Sequence, residues 1–313
     1  MKHTISIIIL LLCSLSAFAS APLQKQTHLF AVKDTDSLYL DHYISPIEGE
    51  RPCVMFVFGG GFVSGTRDND LYTRYFEMLT QNGYDVVSID YRLGLRKLKE
   101  TPGASMKDMI SLLNNAINIA VEDLYSATLF VIENAKEWQI NTNRIITSGS
   151  SAGAITVLQA EYSLCNRTPS AAVLPAGFRY AGVLSYAGAI FSLNGEPKWK
   201  ETPAPIMFFH GSSDQQVPYE KATMLGIGFY GPKYLVKEFE KKGWAHWFYD
   251  IEYHTHAIAG LPMLENHNEI LTFLKDFACE RRPLSITTTV RDAALPVRET
   301  KFKVKDYLEA NYK

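Results

Sequence analysis

Arg144-Ile145-Ile146-Thr147-Ser148-Gly149-Ser150-Ser151-Ala152-Gly153-Ala154-Ile155-Thr156-Val157-Leu158-Gln159-Ala160 passes from a strand pattern to a helix pattern across a G-x-S-x-G pentapeptide. The β-branched run before it reads as a buried strand, and the Ala/Leu/Gln-rich run after it as a helix. A serine on so sharp a strand-to-helix turn holds its hydroxyl clear of the backbone at the end of a sheet. The two glycines allow the tight turn and a close approach of helix to strand. Ser151 is therefore expected to be a nucleophile, with the N–H of Ala152 at the first position of the helix.

Outward from this point the chain has 313 residues, 47% of them hydrophobic and 20% charged, with a net charge of −2. That suits one large α/β domain. No Lys/Arg run forms a basic stripe, so nucleic acid is not an expected partner. Met1-Lys2-His3, the apolar run from Ile5 to Leu15 and the small-x-small site Ala17-Phe18-Ala19 read as a signal peptide over residues 1–19, with Ala19-Ser20-Ala21 as a second cleavage site. Bulky Leu12 argues against a lipoprotein signal at Cys13, and an anchor helix is the other rival. The expectation is a secreted or periplasmic protein with no stable membrane span after cleavage. Only Cys53, Cys165 and Cys279 then remain, and three cysteines make no disulfide-stapled scaffold. Cys53 and Cys165 sit in apolar segments as small hydrophobes, and the possibility of one disulfide stays open. No Cys/His spacing suggests a metal, and no cofactor is expected.

Strand-like and helix-like segments alternate, which predicts a mostly parallel sheet with helices on both faces. Strands are expected at 28–32, 38–43, 53–58, 85–89, 145–147, 180–185, 206–209 and 247–252, eight in all, the first two pairing as a hairpin. Helices are expected over Leu71 to Thr80, with Leu71, Tyr75, Met78 and Leu79 inward, within Ser105 to Trp138, and over Glu269 to Phe277. The domain is placed at 20–282, with 283–313 as a C-terminal extension carrying a short helix around Val304 to Asn311.

A serine hydroxyl needs a base, and the base an orienting acid. Asp214, in His210-Gly211-Ser212-Ser213-Asp214-Gln215-Gln216-Val217-Pro218, follows a strand at the end where ligands of open α/β sheets bind, and is the expected acid. Among the later histidines, His246 precedes the last strand and lies at the wrong end, and His267 opens the closing helix. His254 and His256 both lie just past the strand. Phe58-Gly59-Gly60-Gly61-Phe62 follows the first buried parallel strand, and its backbone can turn N–H groups toward a developing oxyanion. Gly60, Gly61 and Ala152 are the expected donors. Asp90 and Arg92, charged residues at a strand end, read as members of a structural salt bridge or hydrogen-bond network rather than as chemistry. The tract Leu225 to Pro232 reads either as a wall of the site or as a plain turn between helices.

The glycine run, Ser88-Ile89-Asp90-Tyr91-Arg92-Leu93 and the Ser151 segment together resemble the α/β-hydrolase carboxylesterases of the hormone-sensitive-lipase-like and feruloyl-esterase-like group, over residues 50 to 278. His210-Gly211-x-x-Asp214-x-x-Val217-Pro218 resembles their acid loop. His256-Ala257-Ile258-Ala259-Gly260 resembles their histidine segment, and this selects His256 over His254. The resemblance implies an α/β-hydrolase fold and hydrolysis of carboxylic esters by a Ser151–His256–Asp214 triad. The chain departs from the family at Phe58, where a histidine often precedes the glycines, and in lacking the length for a large cap. A short acyl ester or an acylated carbohydrate is the expected substrate. A prolyl-oligopeptidase-like peptidase is the enzymatic rival, and an inactive hydrolase-like binding protein the non-enzymatic one.

Overall fold

Cys53-Val54-Met55-Phe56-Val57 has no polar alternation, so a strand made from it needs cover on both faces. In the computed structural model all five residues are fully buried near the centre of a sheet. The structure describes residues 23–96 and 105–302; the expected signal peptide and the expected helix around 304–311 lie outside the described residues.

The strands, in chain order, are β1 (Gln24–Lys33), β2 (Asp36–Ile44), β3 (Arg51–Val57), β4 (Asp85–Ile89), β5 (Ile140–Ser150), β6 (Gly182–Tyr186), β7 (Ile190–Ser192), β8 (Ile206–Gly211), β9 (Lys221–Met224), β10 (Ile227–Tyr230), β11 (His246–Ile251) and β12 (Ser285–Val290). The main sheet runs β1-β2-β4-β3-β5-β6-β8-β11-β12. The first two strands pair antiparallel, β2 meets β4 antiparallel, and every later pair is parallel. All eight expected strands are present, and a ninth joins them. Ser285-Ile-Thr-Thr-Thr-Val290 alternates and is β-branched, and it pairs with β11 from His246↔Ser285 to Ile251↔Val290. Residues 285–290 therefore complete the sheet edge rather than trail from it.

The helices are α1 (Thr73–Gln81), α2 (Met106–Trp138), α3 (Ala152–Cys165), α4 (Pro232–Lys242), α5 (Pro262–Glu265) and α6 (His267–Thr272), which continues as a π-helical turn over Phe273–Cys279. The 105–138 stretch is one helix, opened by a reciprocal Ser105–Asp108 capping box and ended by left-handed Gln139. Leu71 is a correction: it sits on a 3-10 turn ahead of α1 and is exposed, because the Asn69 side chain caps that turn and the helix begins two residues later. Neighbouring residues of β8 show the two covered faces. Phe208 packs on Phe239 of α4, while Phe209 stacks on Tyr186, which meets Tyr75 of α1.

At the far end of the sheet from the site, buried Asp85 accepts from Arg51 Nε and pairs with His42, whose ring stacks on Trp138 at 4.4 Å. Burial would raise that carboxyl, but the His42 and Arg51 hydrogen bonds outweigh it and lower its pKa. The network ties β2, β3, β4 and the end of α2 together.

The order β4-β3-β5 marks where the winding reverses. The chain leaves β3 toward β4, then returns through α2 to β5 on the other side. The crevice at the carboxyl ends of β3 and β5 is where such sheets hold their ligands.

Candidate active site

Both loops that flank this crevice are the ones singled out by sequence. Ser151 caps β5 with φ 52° and ψ −115°, a left-handed position that costs an ordinary residue about 1–3 kcal/mol. Its N–H donates to Tyr186 O at the end of β6, and its own carbonyl receives Ile155 N–H, so both sides of the strained residue are fixed. The flanking glycines are required by contact. A methyl on Gly149 would collide with the Gly153 carbonyl, and one on Gly153 with the Val57 and Phe58 carbonyls.

Gly153→Ala is accordingly expected to push α3 off β3, with an overpacking cost of about 1–3 kcal/mol. The Phe58 carbonyl belongs to the glycine loop, so activity should fall further than the drop in thermal midpoint alone would predict. Thermal unfolding and ester hydrolysis on the same preparation would show this, and an unchanged midpoint would contradict the contact.

The acid loop follows β8. Asp214 Oδ1 accepts the N–H groups of Gln216 (2.8 Å) and Val217 (3.0 Å), an Asx-type turn that fixes the side chain. Its Oδ2 faces His256 Nδ1 at 2.7 Å and His210 Nε2 at 3.3 Å. Burial would push this carboxyl up. The hydrogen bonds and charge of His210 and His256 outweigh that and hold it well below the usual carboxylate range.

His256 opens a 3-10 turn over His256–Ala259 that is capped by Thr255. Ser213 N–H donates to His254 O and Ser212 N–H to Ile251 O, which binds the acid loop to the histidine loop. Gly211 makes that approach possible, because a methyl there would strike the His254 carbonyl. On the far side His256 Nε2 lies 2.7 Å from Ser151 Oγ. An ionised carboxylate only accepts, so Nδ1 carries the proton and Nε2 presents its lone pair to the serine hydroxyl. The arrangement can take a proton from Ser151.

The structure thus brings Ser151, His256 and Asp214 into one hydrogen-bonded line. His254 is not in it: its Nδ1 accepts Thr255 N–H and only its backbone faces the acid loop. His246 is buried at the start of β11, bonded to Trp244 O, and His267 bonds Met263 O. Asp90 pairs with Arg67, and Arg92 with Asp123.

After β3, Gly60 and Gly61 take φ 123° and 63°. The Gly60 carbonyl receives Val63 and Ser64 N–H, closing the loop on itself. A methyl on Gly59 would lie 3.3 Å from Ser151 Cβ, so the loop abuts the serine. Ala152 begins α3, where a helix leaves N–H groups unpaired. Among the described residues no group of three or more His, Cys, Asp or Glu is arranged to hold a metal ion.

The Leu225–Pro232 tract is neither a bare turn nor a link between helices. Leu225 and Gly226, both at positive φ, join β9 to β10 in a two-residue hairpin. β10 also pairs with β7, giving a small antiparallel sheet against α3.

Four side chains that support the site carry no assigned role in the sequence analysis. Ser150 Oγ donates to Ala259 O at 2.8 Å and ties the elbow to the histidine turn. His210 stands behind Asp214. Tyr72 and Tyr91 touch the glycine loop. His210, Ser150 and Tyr91 lie inside motifs quoted above that could have drawn attention to them; Tyr72 meets the site only through space.

Residues 40–164 match the family model BD-FAE. Acetylcholinesterase of Bungarus fasciatus is 30% identical over 134 residues, 42% of this chain and 21% of that protein. Fumonisin B1 esterase of Sphingopyxis macrogoltabida is 31% identical over 122 residues, 38% of this chain and 22% of that protein. The matches thus span about a fifth of the length of these curated relatives. The structure is similar to that of the thermophilic esterase Est2 of Thermogutta terrifontis, with a TM-score of 0.57 at 20% identity, over 80% of this chain and 92% of that one. The fold is the α/β-hydrolase fold. The family match covers the glycine loop, the elbow and most of α3, the part of the chain on which the resemblance to carboxylesterases chiefly rests.

Proposed function

We propose that this α/β-hydrolase is a serine hydrolase of carboxylic esters, working through an acyl-enzyme on Ser151. The observation that carries the reading is the line Ser151–His256–Asp214, with 2.7 Å at each link. Ser151 Oγ attacks the ester carbonyl while His256 Nε2 takes its proton. Asp214 keeps the ring in the tautomer that can do so and stabilises the imidazolium. The carbonyl oxygen becomes an anion, and the N–H groups of Gly60, Gly61 and Ala152 receive it. His256 then gives the proton to the departing alcohol, and a water activated by the same nitrogen releases the acid.

The substrate we assign is a small ester: a short acyl group, or an acyl group carried on a carbohydrate. Two observations support it. Beyond the main sheet the described residues form only the small β7-β10-β9 sheet, and two of the relatives matched, acetylcholinesterase and fumonisin B1 esterase, are esterases by name. Export to the periplasm or medium, read from residues 1–19, would place the protein among such substrates. No helix of the described residues is long and apolar enough to cross a membrane.

The test joins hydrolysis to trapping. 4-Nitrophenyl acetate and butyrate should be hydrolysed, and a fluorophosphonate should stop the reaction at one equivalent, with the adduct mapped by mass spectrometry to Ser151. Label on another residue, or hydrolysis that survives full labelling, would defeat the reading. Rates on acetylated and feruloylated sugars against alkyl esters then rank the substrates.

A further inference from the structure

Three glycines in a row have more backbone freedom than any other tripeptide, so N–H groups on such a loop are aimed only if something outside it fixes the peptide planes. The plane ahead of the donors is the Phe58–Gly59 peptide, and it is gripped on both sides. Tyr91 Oη donates to its carbonyl at 3.1 Å, and its N–H donates to Tyr72 Oη at 3.3 Å. The two tyrosines both follow the loop in the chain but come from separate elements. Tyr91 follows β4, is buried, and lays its ring on Phe58 at 4.5 Å and edge-on to Phe62 at 6.3 Å. Tyr72 ends the 3-10 turn before α1 and packs on Phe56 at 4.5 Å.

The clamp acts at the right place. A trans peptide points its C=O and N–H to opposite sides, so holding both stops rotation of the whole plane. The next two planes carry the N–H groups of Gly60 and Gly61. Their other end is closed by Val63 and Ser64 N–H on Gly60 O. Phe58 is hydrogen-bonded only through its backbone here; its ring is the platform that seats Tyr91.

We propose that Tyr91 and Tyr72 are positioning residues that hold the glycine loop in its donor geometry before substrate arrives. This rests on the ester-hydrolase reading, in which Gly60 and Gly61 stabilise the oxyanion. Neither hydroxyl is assigned a bond to substrate. Burial pushes the Tyr91 phenol well above its ordinary range, so it keeps its proton, and its capacity to donate, across any working pH.

The experiment uses Tyr91→Phe, Tyr72→Phe and the double variant, which keep the rings and remove only the oxygens. Small misplacement of catalytic groups costs up to about a hundredfold, so each single variant should lose roughly tenfold in kcat at nearly unchanged KM. A trifluoromethyl ketone, whose adduct on Ser151 carries an oxyanion, should weaken in proportion to the loss of kcat. The parent methyl ketone, read as a simple competitive inhibitor, should not. Wild-type kcat in both single variants would overturn the proposal, as would a loss of kcat with unchanged trifluoromethyl ketone affinity. Should Tyr91→Phe fail to fold, Tyr72→Phe carries the same readings, its ring being only partly buried. An inactive wild type unlabelled at Ser151 would instead remove the ester-hydrolase reading, and this one with it.

Discussion

Ser151→Ala is expected to lower kcat about a million-fold while the protein stays folded, because a lost nucleophile disables the whole hydrogen-bonded unit. Alanine keeps the Cβ and fits wherever the serine Cβ fits, so the strained φ of 52° is retained at no new cost. What is lost is the oxygen 2.7 Å from His256 Nε2. His256→Ala should fall by a similar factor, and combining the two should add little, since members of one relay are not additive. His254→Ala should remain within a few-fold of wild type, because its ring bonds only to the adjacent Thr255 N–H. Progress curves with 4-nitrophenyl acetate on freshly purified variants measure all four. A Ser151→Ala protein that keeps even a hundredth of the activity would put the nucleophile elsewhere.

The fold was legible where burial imposes a period. β3 is apolar on both faces and β12 alternates over β-branched residues, so each follows from its own pattern. Yet β12 was not placed in the sheet from sequence, because nothing local reveals that the edge of β11 is vacant. Leu71 shows the opposite failure. Its spacing continues the apolar face of α1, but a side-chain cap two residues earlier made a tighter turn there. Capping geometry competes with periodicity at helix ends, and periodicity alone is blind to it.

The site was legible for a different reason. Ser151, Asp214 and His256 each sit just past the carboxyl end of a strand, so chain order and strand position brought them near the same crevice. Choosing His256 over His254 required the resemblance, since the two are equally placed by position. The structure separates them by loop shape: left-handed Tyr253 and the Ser213 N–H bond to His254 O turn the backbone so that the second histidine faces Asp214. The contacts of Tyr72, Tyr91 and Ser150 were beyond reach because they join loops 13 to 109 residues apart.

Asp214→Asn is the second large effect expected, about ten-thousand-fold in kcat. An asparagine can keep accepting Gln216 and Val217 N–H through its carbonyl oxygen, so the Asx-type turn survives. Its amide nitrogen then lies where Oδ2 was, 2.7 Å from His256 Nδ1. An amide N–H pointing at Nδ1 requires the proton to sit on Nε2, which can no longer take one from Ser151. The same nitrogen would face the donor His210 Nε2 and lose that bond. Stability should respond with a definite sign. The folded carboxyl is depressed below its unfolded value near about 4, so its contribution is full above that pH and declines as pH falls through the folded value. The gap in thermal midpoint between wild type and Asp214→Asn should therefore be widest near neutrality and close below about pH 4. A gap that widens toward acid would reverse the sign of the shift. An Asn variant within tenfold of wild-type kcat would move the orienting acid elsewhere. Asp250 is poorly suited to replace it, because its carboxylate is already bonded to Tyr219 and Lys233.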